Sequence, residues 1–221
     1  MENLAPNNKR IVKNTLLLYV RMLFLMVVSL YTSRVVLNAL GIEDFGIYNV
    51  VGGMVAMFSM LSGSLSAAIT RFITYELGRG DREKLRTIFS SAVTIQLGLA
   101  AIIIILAEVL GIWFLNSKMT IPLDRLAAAN WVFQFSVLTF AINLVSVPYN
   151  ASIIAHERMS AFAYISIFEA VGKLAIAYLI TISPIDRLVF YAILMCAVAL
   201  IVRFTYGIYC KRHFEERSER R

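Results

Sequence analysis

Long uncharged stretches alternate with short charged links along this chain. From Phe45 no charged side chain appears until Arg71, and at 1.5 Å per residue such a helix crosses a hydrocarbon core of about 30 Å. Within it Ser59, Ser62, Ser66, Thr70 and Thr74 recur every three or four residues. That spacing predicts one helix face of hydroxyls and small side chains, meeting other helices or water rather than lipid. The same alternation predicts spans at residues 15–40, 45–78, 88–115, 126–155, 161–182 and 188–210. Their connections are a turn at 41–44, a charged link at 79–86, a loop at 116–124, a brief link at 156–160 and a turn at Pro184. Pro148 removes a backbone donor inside the fourth span and is expected to bend it near Val147. The expectation is an all-α, polytopic membrane protein, a single unit of six transmembrane helices over residues 1–221.

Composition agrees. Of 221 residues 59% are hydrophobic and only 16% charged, with a mean hydropathy of +0.74, outside the range of an ordinary soluble domain. The net charge of +7 would point a soluble protein toward nucleic acid, but here most Lys and Arg sit at helix ends, so topology accounts for them and no nucleic-acid partner is expected. One side of the predicted membrane collects Lys9, Arg10, Lys13, Arg79, Arg82, Lys84, Arg86, Arg158 and the basic tail from Lys211 to Arg221. The other side has Lys118, Arg125 and Arg187. By the positive-inside rule both termini are cytoplasmic. The first apolar segment is longer than a signal-peptide core and lacks a small-residue cleavage site, so it is expected to stay as a span. Cys196 and Cys210 share one predicted helix about 21 Å apart along its axis, too far to bridge.

Five basic residues remain inside spans: Arg21, Arg34, Arg71, Lys173 and Arg203. A charge at the centre of a spanning helix costs roughly 2.5 to 3.5 kcal/mol even on the lenient insertion scale, so each needs a partner, water or a ligand. Glu169 precedes Lys173 by four residues, the favourable order for a helical ion pair. Two readings stand for it: mutual neutralisation inside the bundle, or a cavity pair coupled to a proton or sodium ion. Arg21 either snorkels to the headgroups or lines a water-filled lumen. Arg34, with Tyr31 and Asn38 on its face, and Arg71, beside Thr74, read as inward-facing cavity residues. Arg203 and Glu76 read as anchors at the interface, and Glu108 as a residue near the opposite interface with no assigned role.

Other chemistry is excluded. His156 and His213 have no Cys, His or carboxylate at ligand spacing, so neither a metal site nor a cofactor is expected. Gly52 and Gly53 lie within a span and read as helix-packing positions. The sequence Asn150, Ala151, Ser152 matches a glycosylation acceptor at a position where it should be silent. No Ser, His and Asp constellation or paired carboxylate suggests catalysis, so the chain is not expected to be an enzyme.

Three stretches carry a family resemblance: LNALGIEDFGIYNVVGG over residues 37–53, RFITYELGRGD over 71–81, and VPYNASIIAHERMSAFAYI over 147–165. Together they resemble the bacterial polysaccharide transporters, including the Wzx-type O-antigen flippases, of the multidrug/oligosaccharidyl-lipid/polysaccharide (MOP) exporter superfamily. The resemblance extends from about residue 8 to 214. It implies a MATE-like N-terminal lobe in the bacterial inner membrane that handles undecaprenyl-diphosphate-linked oligosaccharides for polysaccharide or lipopolysaccharide biosynthesis by alternating access. It also implies that Arg21, Arg34 and Arg71 meet the anionic head group. Members of the family have twelve to fourteen helices, so this chain resembles the first lobe alone. The missing half would be a second lobe or a homodimer partner in the same orientation. A multidrug cation antiporter of the MATE type shares the helix plan, but the first span offers arginines and no acid. A membrane glycosyltransferase would need a site on a soluble-facing loop, and the links are too short to build one. A non-transporting structural subunit is the remaining alternative.

Overall fold

The computed structural model describes residues 4–183 and 186–214, with the side chains of 4–11, 13 and 60–62 outside that description. The expectations for Pro184, for the basic side chains of the first residues and of the tail beyond Phe214, and for the Ser62 hydroxyl therefore lie outside the described residues. The chain is helical throughout, with no strand among the described residues. In order, the elements are α1 (Leu4–Ala56), α2 (Ser59–Arg79), α3 (Arg82–Leu106), a π-helical turn (Ala107–Gly111), α4 (Ile112–Ser117), α5 (Leu126–Ala155), α6 (Met159–Leu179) and α7 (Arg187–His213).

α1 is two helical limbs joined at Gly41, whose φ of 83° and ψ of 170° leave the helical region. The second predicted span therefore differs from expectation: its first part is the distal limb of α1, the chain turns at Met57 and Phe58, and α2 completes it. The third span is longer than expected, running from Arg82 through the π turn to Ser117. α5 passes through Pro148 without ending. Counting the α1 limbs separately and joining each interrupted helix gives six antiparallel passes. Among the described residues, five helices are long and apolar enough to cross a membrane. α2 falls short because its hydroxyls, Arg71 and Glu76 lower its hydropathy.

α5 is the central post, packed against α7, α2, α3 and the distal limb of α1, while the proximal limb of α1 lies along α6. Small residues make this possible. Ala128, Ala129, Ala141, Ser146, Ala151 and Ser152 of α5 are all buried, and small side chains let helix backbones approach where lipid supplies no hydrophobic drive. One core gathers Ile47, Val51 and Val55 with Leu115, Phe133 and Leu188. A second, at the other end, gathers Ile73, Phe89, Tyr149, Ile153, Tyr206 and Phe214.

The two ends are closed differently. At the end bearing Phe214, which we call proximal, Gly80 adopts φ 72° and stops α2, its N–H donating to the carbonyl of Glu76. Asp81 then caps α3 by accepting from the Lys84 N–H at 3.1 Å, which holds its carboxyl below the usual range. At the distal end one guanidinium ties three connections together. Arg125 reaches Asp44 at 2.7 Å and Asp186 at 2.6 Å. Asp186 also caps α7 through the Leu188 N–H, and Arg187 donates to the Ala39 carbonyl at 3.0 Å.

Candidate functional site

A half-open cavity of about 360 Å³ lies between α1, α6 and α7. Helical spacing builds it. Arg21, Leu25, Val28, Thr32 and Val36 follow one another at three and four residues along the proximal limb of α1, with Ser29 beside them, so they share a face and that face lines the wall. Ser166, Ala170 and Lys173 repeat that spacing on α6, with Glu169 beside them. The turn at Gly41 folds the distal limb back so that Phe45, Tyr48 and Asn49 close the far end, beside Tyr191 of α7. The rings of Tyr48 and Tyr191 meet edge to face with centroids 4.8 Å apart. Tyr31 and Tyr178 join α1 to α6 through a 2.6 Å hydrogen bond between their hydroxyls.

Charge is concentrated in the proximal half. Lys173 Nζ lies 2.6 Å from Glu169 Oε1, the i, i+4 pair expected from the sequence. Arg21 stacks its guanidinium 4.2 Å above the Phe162 ring and lies within electrostatic reach of Glu169. Its Nε is buried without a hydrogen-bond partner, as is Thr32 Oγ1. The wall thus presents two cations against one anion, leaving an excess positive charge and unused hydrogen-bonding capacity. An isolated buried polar atom is costly, and such a lining suits a polar, anionic guest better than hydrocarbon.

The arginines expected together are separated. Arg21 lines the cavity, whereas Arg34 and Arg71 are exposed on α1 and α2. Arg203 is half-buried, its guanidinium 3.8 Å above the Tyr149 ring. Glu76 is no interfacial anchor: it is 7% exposed. Glu108 sits at the π turn, where it accepts from Gln134 Nε2 at 3.1 Å. The hydroxyl stripe of α2 bonds partly to its own helix, Thr70 to the Ser66 carbonyl and Thr74 to the Thr70 carbonyl. The cavity's neutral lining, Ser29, Thr32, Tyr48 and Tyr191, was not singled out by sequence reasoning. A signal existed in Ser29, Thr32 and Ser33, hydroxyls at helical spacing from Arg21 in an otherwise apolar span.

A family model described as "Polysaccharide biosynthesis protein" matches residues 11–220, nearly the whole chain. The chain belongs to this family. Its members are transporter-type proteins of the MOP superfamily, so the resemblance carried by residues 37–53, 71–81 and 147–165 holds and the chain is a multi-pass membrane protein. Among curated proteins it is similar to "Uncharacterized membrane protein EpsK" of Bacillus subtilis (strain 168), 22% identical over 124 residues, a match that covers 56% of this chain and 24% of that protein. The match thus spans about a quarter of the relative's length. No solved structure matches the chain. For this polysaccharide biosynthesis protein the charged cavity between α1, α6 and α7 is the candidate site, and nothing in the family assignment names its cargo.

Proposed function

We propose that this chain forms one lobe of a flippase for lipid-linked oligosaccharides, with undecaprenyl-diphosphate-linked sugars as the substrate class. It would sit in the bacterial inner membrane with both termini cytoplasmic. The observation that carries this reading is the membrane-level cavity in which Arg21 and Lys173 outweigh Glu169. A diphosphate needs cations in a site of lowered dielectric, where each charge contact is stronger than in water. The hydroxyls of Ser29, Thr32, Tyr48 and Tyr191 offer the hydrogen bonds that a sugar requires. A cation antiporter would need an acid free to bind its cargo, and Glu169 is held by Lys173. Arg34 and Arg71, exposed on this lobe, fit the same scheme if a second lobe or a second copy faces them, and a lobe alone should bind without transporting.

Binding of an undecaprenyl-diphosphate oligosaccharide to the purified protein tests this reading. Arg21→Ala should weaken binding by about tenfold or more, the scale of a lost charge-assisted contact, with Arg34→Ala and Arg71→Ala affecting it less in the isolated lobe. Unchanged affinity in Arg21→Ala overturns the assignment of the cavity. Flipping of a lipid-linked sugar by the 221-residue chain alone overturns the half-transporter reading.

A further inference from the structure

A smaller crevice, about 260 Å³, shares Tyr48 with the charged cavity and lies between the distal limb of α1, the start of α2, α5 and α7. Helical spacing sets its floor. Ser136, Thr139 and Asn143 follow one another at three and four residues, so they share one face of α5 and line the crevice together. They stand in the middle of a 30-residue helix, at the depth of hydrocarbon. Elsewhere in the chain Thr70, Thr94, Ser146, Ser166 and Thr205 each donate to the carbonyl four residues back. The side chains of Ser136, Thr139 and Asn143 make no hydrogen bond among the described residues. Polar groups at this depth ordinarily find partners across helices, so these three hold donors and acceptors in reserve.

The remaining walls are apolar or bare. Phe140 and Met195 supply hydrocarbon surface, and Gly52 leaves space where a Cβ would meet nothing within 4 Å. Among the described residues, no Lys, Arg, His, Asp or Glu lines the crevice. An ionised group entering it would shed water with no opposite charge to meet it, which is expensive. A hydrocarbon chain would leave the hydroxyls and the amide unmet. A neutral polyhydroxyl ring answers both demands. Its hydroxyl rim meets Ser136, Thr139 and the Asn143 amide, which both donates and accepts, while its C–H face lies on Phe140 and Met195. The volume is below the roughly 300 to 1,000 Å³ of sites for drug-sized ligands, so it suits a single ring.

We propose that this crevice selects an uncharged sugar unit, a hexose or N-acetylhexosamine, over a uronic acid. The carrier is the one given by the flippase reading, on which this assignment rests: with the diphosphate at Arg21 and Lys173, the glycan runs distally past Tyr48. The α1 wall from Arg21 to Val36 is about 22 Å long at helical rise, so a later unit of the glycan, not the first, reaches Asn143. The charged cavity alone predicts the opposite selectivity, because excess positive charge favours an acidic glycan.

Native mass spectrometry of the purified chain tests it with three probes: undecaprenyl diphosphate, that carrier bearing a neutral hexose tetrasaccharide, and the carrier bearing the same tetrasaccharide with uronic acids in place of the hexoses. The unmodified chain should hold the neutral form about tenfold more tightly than either of the others. Asn143→Leu, at an exposed position, and Gly52→Leu, which fills the crevice, should each bring the neutral form down to the level of the sugar-free carrier. Neither should change the thermal midpoint or the binding of the sugar-free carrier. Arg21→Ala should weaken all three probes alike, which separates the two readings. If it leaves the sugar-free carrier unaffected, the cavity assignment fails, while loss of the neutral preference in Asn143→Leu and Gly52→Leu still upholds the crevice. An acidic glycan held as tightly as the neutral one, or a neutral preference that survives both crevice substitutions, overturns the proposal.

Discussion

Gly41 is the position at which a single residue type is compulsory. Its φ of 83° with ψ near 170° lies in a region that only glycine adopts without strain, and a Cβ built there meets nothing within 4 Å. The cost of Gly41→Ala is therefore in the backbone alone, about 1 to 3 kcal/mol. It should appear as a lower thermal midpoint in detergent, with the cavity's far end displaced. Asp44, three residues on, is 4% exposed. Burial pushes its carboxyl above the usual range, with the Arg125 guanidinium pulling the other way. The folded protein then holds that proton more tightly than the unfolded chain. The stability contributed by this group is complete below the unfolded value of about 3.9 and is lost as pH rises through the higher folded value. Asp44→Asn should flatten the dependence of thermal stability on pH across that window. Arg125→Gln leaves a buried carboxylate without its cation and should cost about 1 to 3 kcal/mol at neutral pH.

At the scale of the elements, the π turn at Ala107–Gly111 shows how much a single extra residue decides. Gly111 faces the ring of Phe133, and a Cβ there would intrude into that ring. Gly111→Ala should destabilise by about 1 to 3 kcal/mol, as overpacked cores do, and Phe133→Leu should restore part of the loss in a double-mutant cycle. Neither the π turn nor the break at Met57 and Phe58 was legible in the sequence. Hydropathy does not register one added residue in a helix, and no proline marks the break. The turn at residues 41–44 was legible because Gly41 and two acids interrupt an apolar run, although the structure contracts it to one non-helical residue. The Glu169 and Lys173 pair was legible for the plainest reason, that i, i+4 neighbours on a helix must meet.

For the whole molecule, six antiparallel passes followed from the alternation of apolar stretches and charged links, because hydrocarbon leaves few ways to satisfy a backbone. The cavity did not follow. Arg21, Arg34 and Arg71 look alike in sequence, each a lone cation in a span, yet only packing decides that the Arg21 face of α1 turns toward α6 while Arg34 stays exposed. If the cavity is hydrated, cysteine scanning will report it: Ser29→Cys, at an exposed lining position, should react with a small polar maleimide, whereas Ile176→Cys, at a position 4% exposed, should resist. The two native thiols, Cys196 and Cys210, are free and buried and should contribute little background.

The union of both α1 limbs through one glycine also sets a mechanical ratio. Tyr48 stands seven residues beyond Gly41, a lever of about 10 Å at helical rise, so a swing of roughly ten degrees about that pivot carries its ring nearly 2 Å while both limbs stay intact. The lid of the cavity can thus change its clearance by a bond's length with no helix unwound and no loop rebuilt.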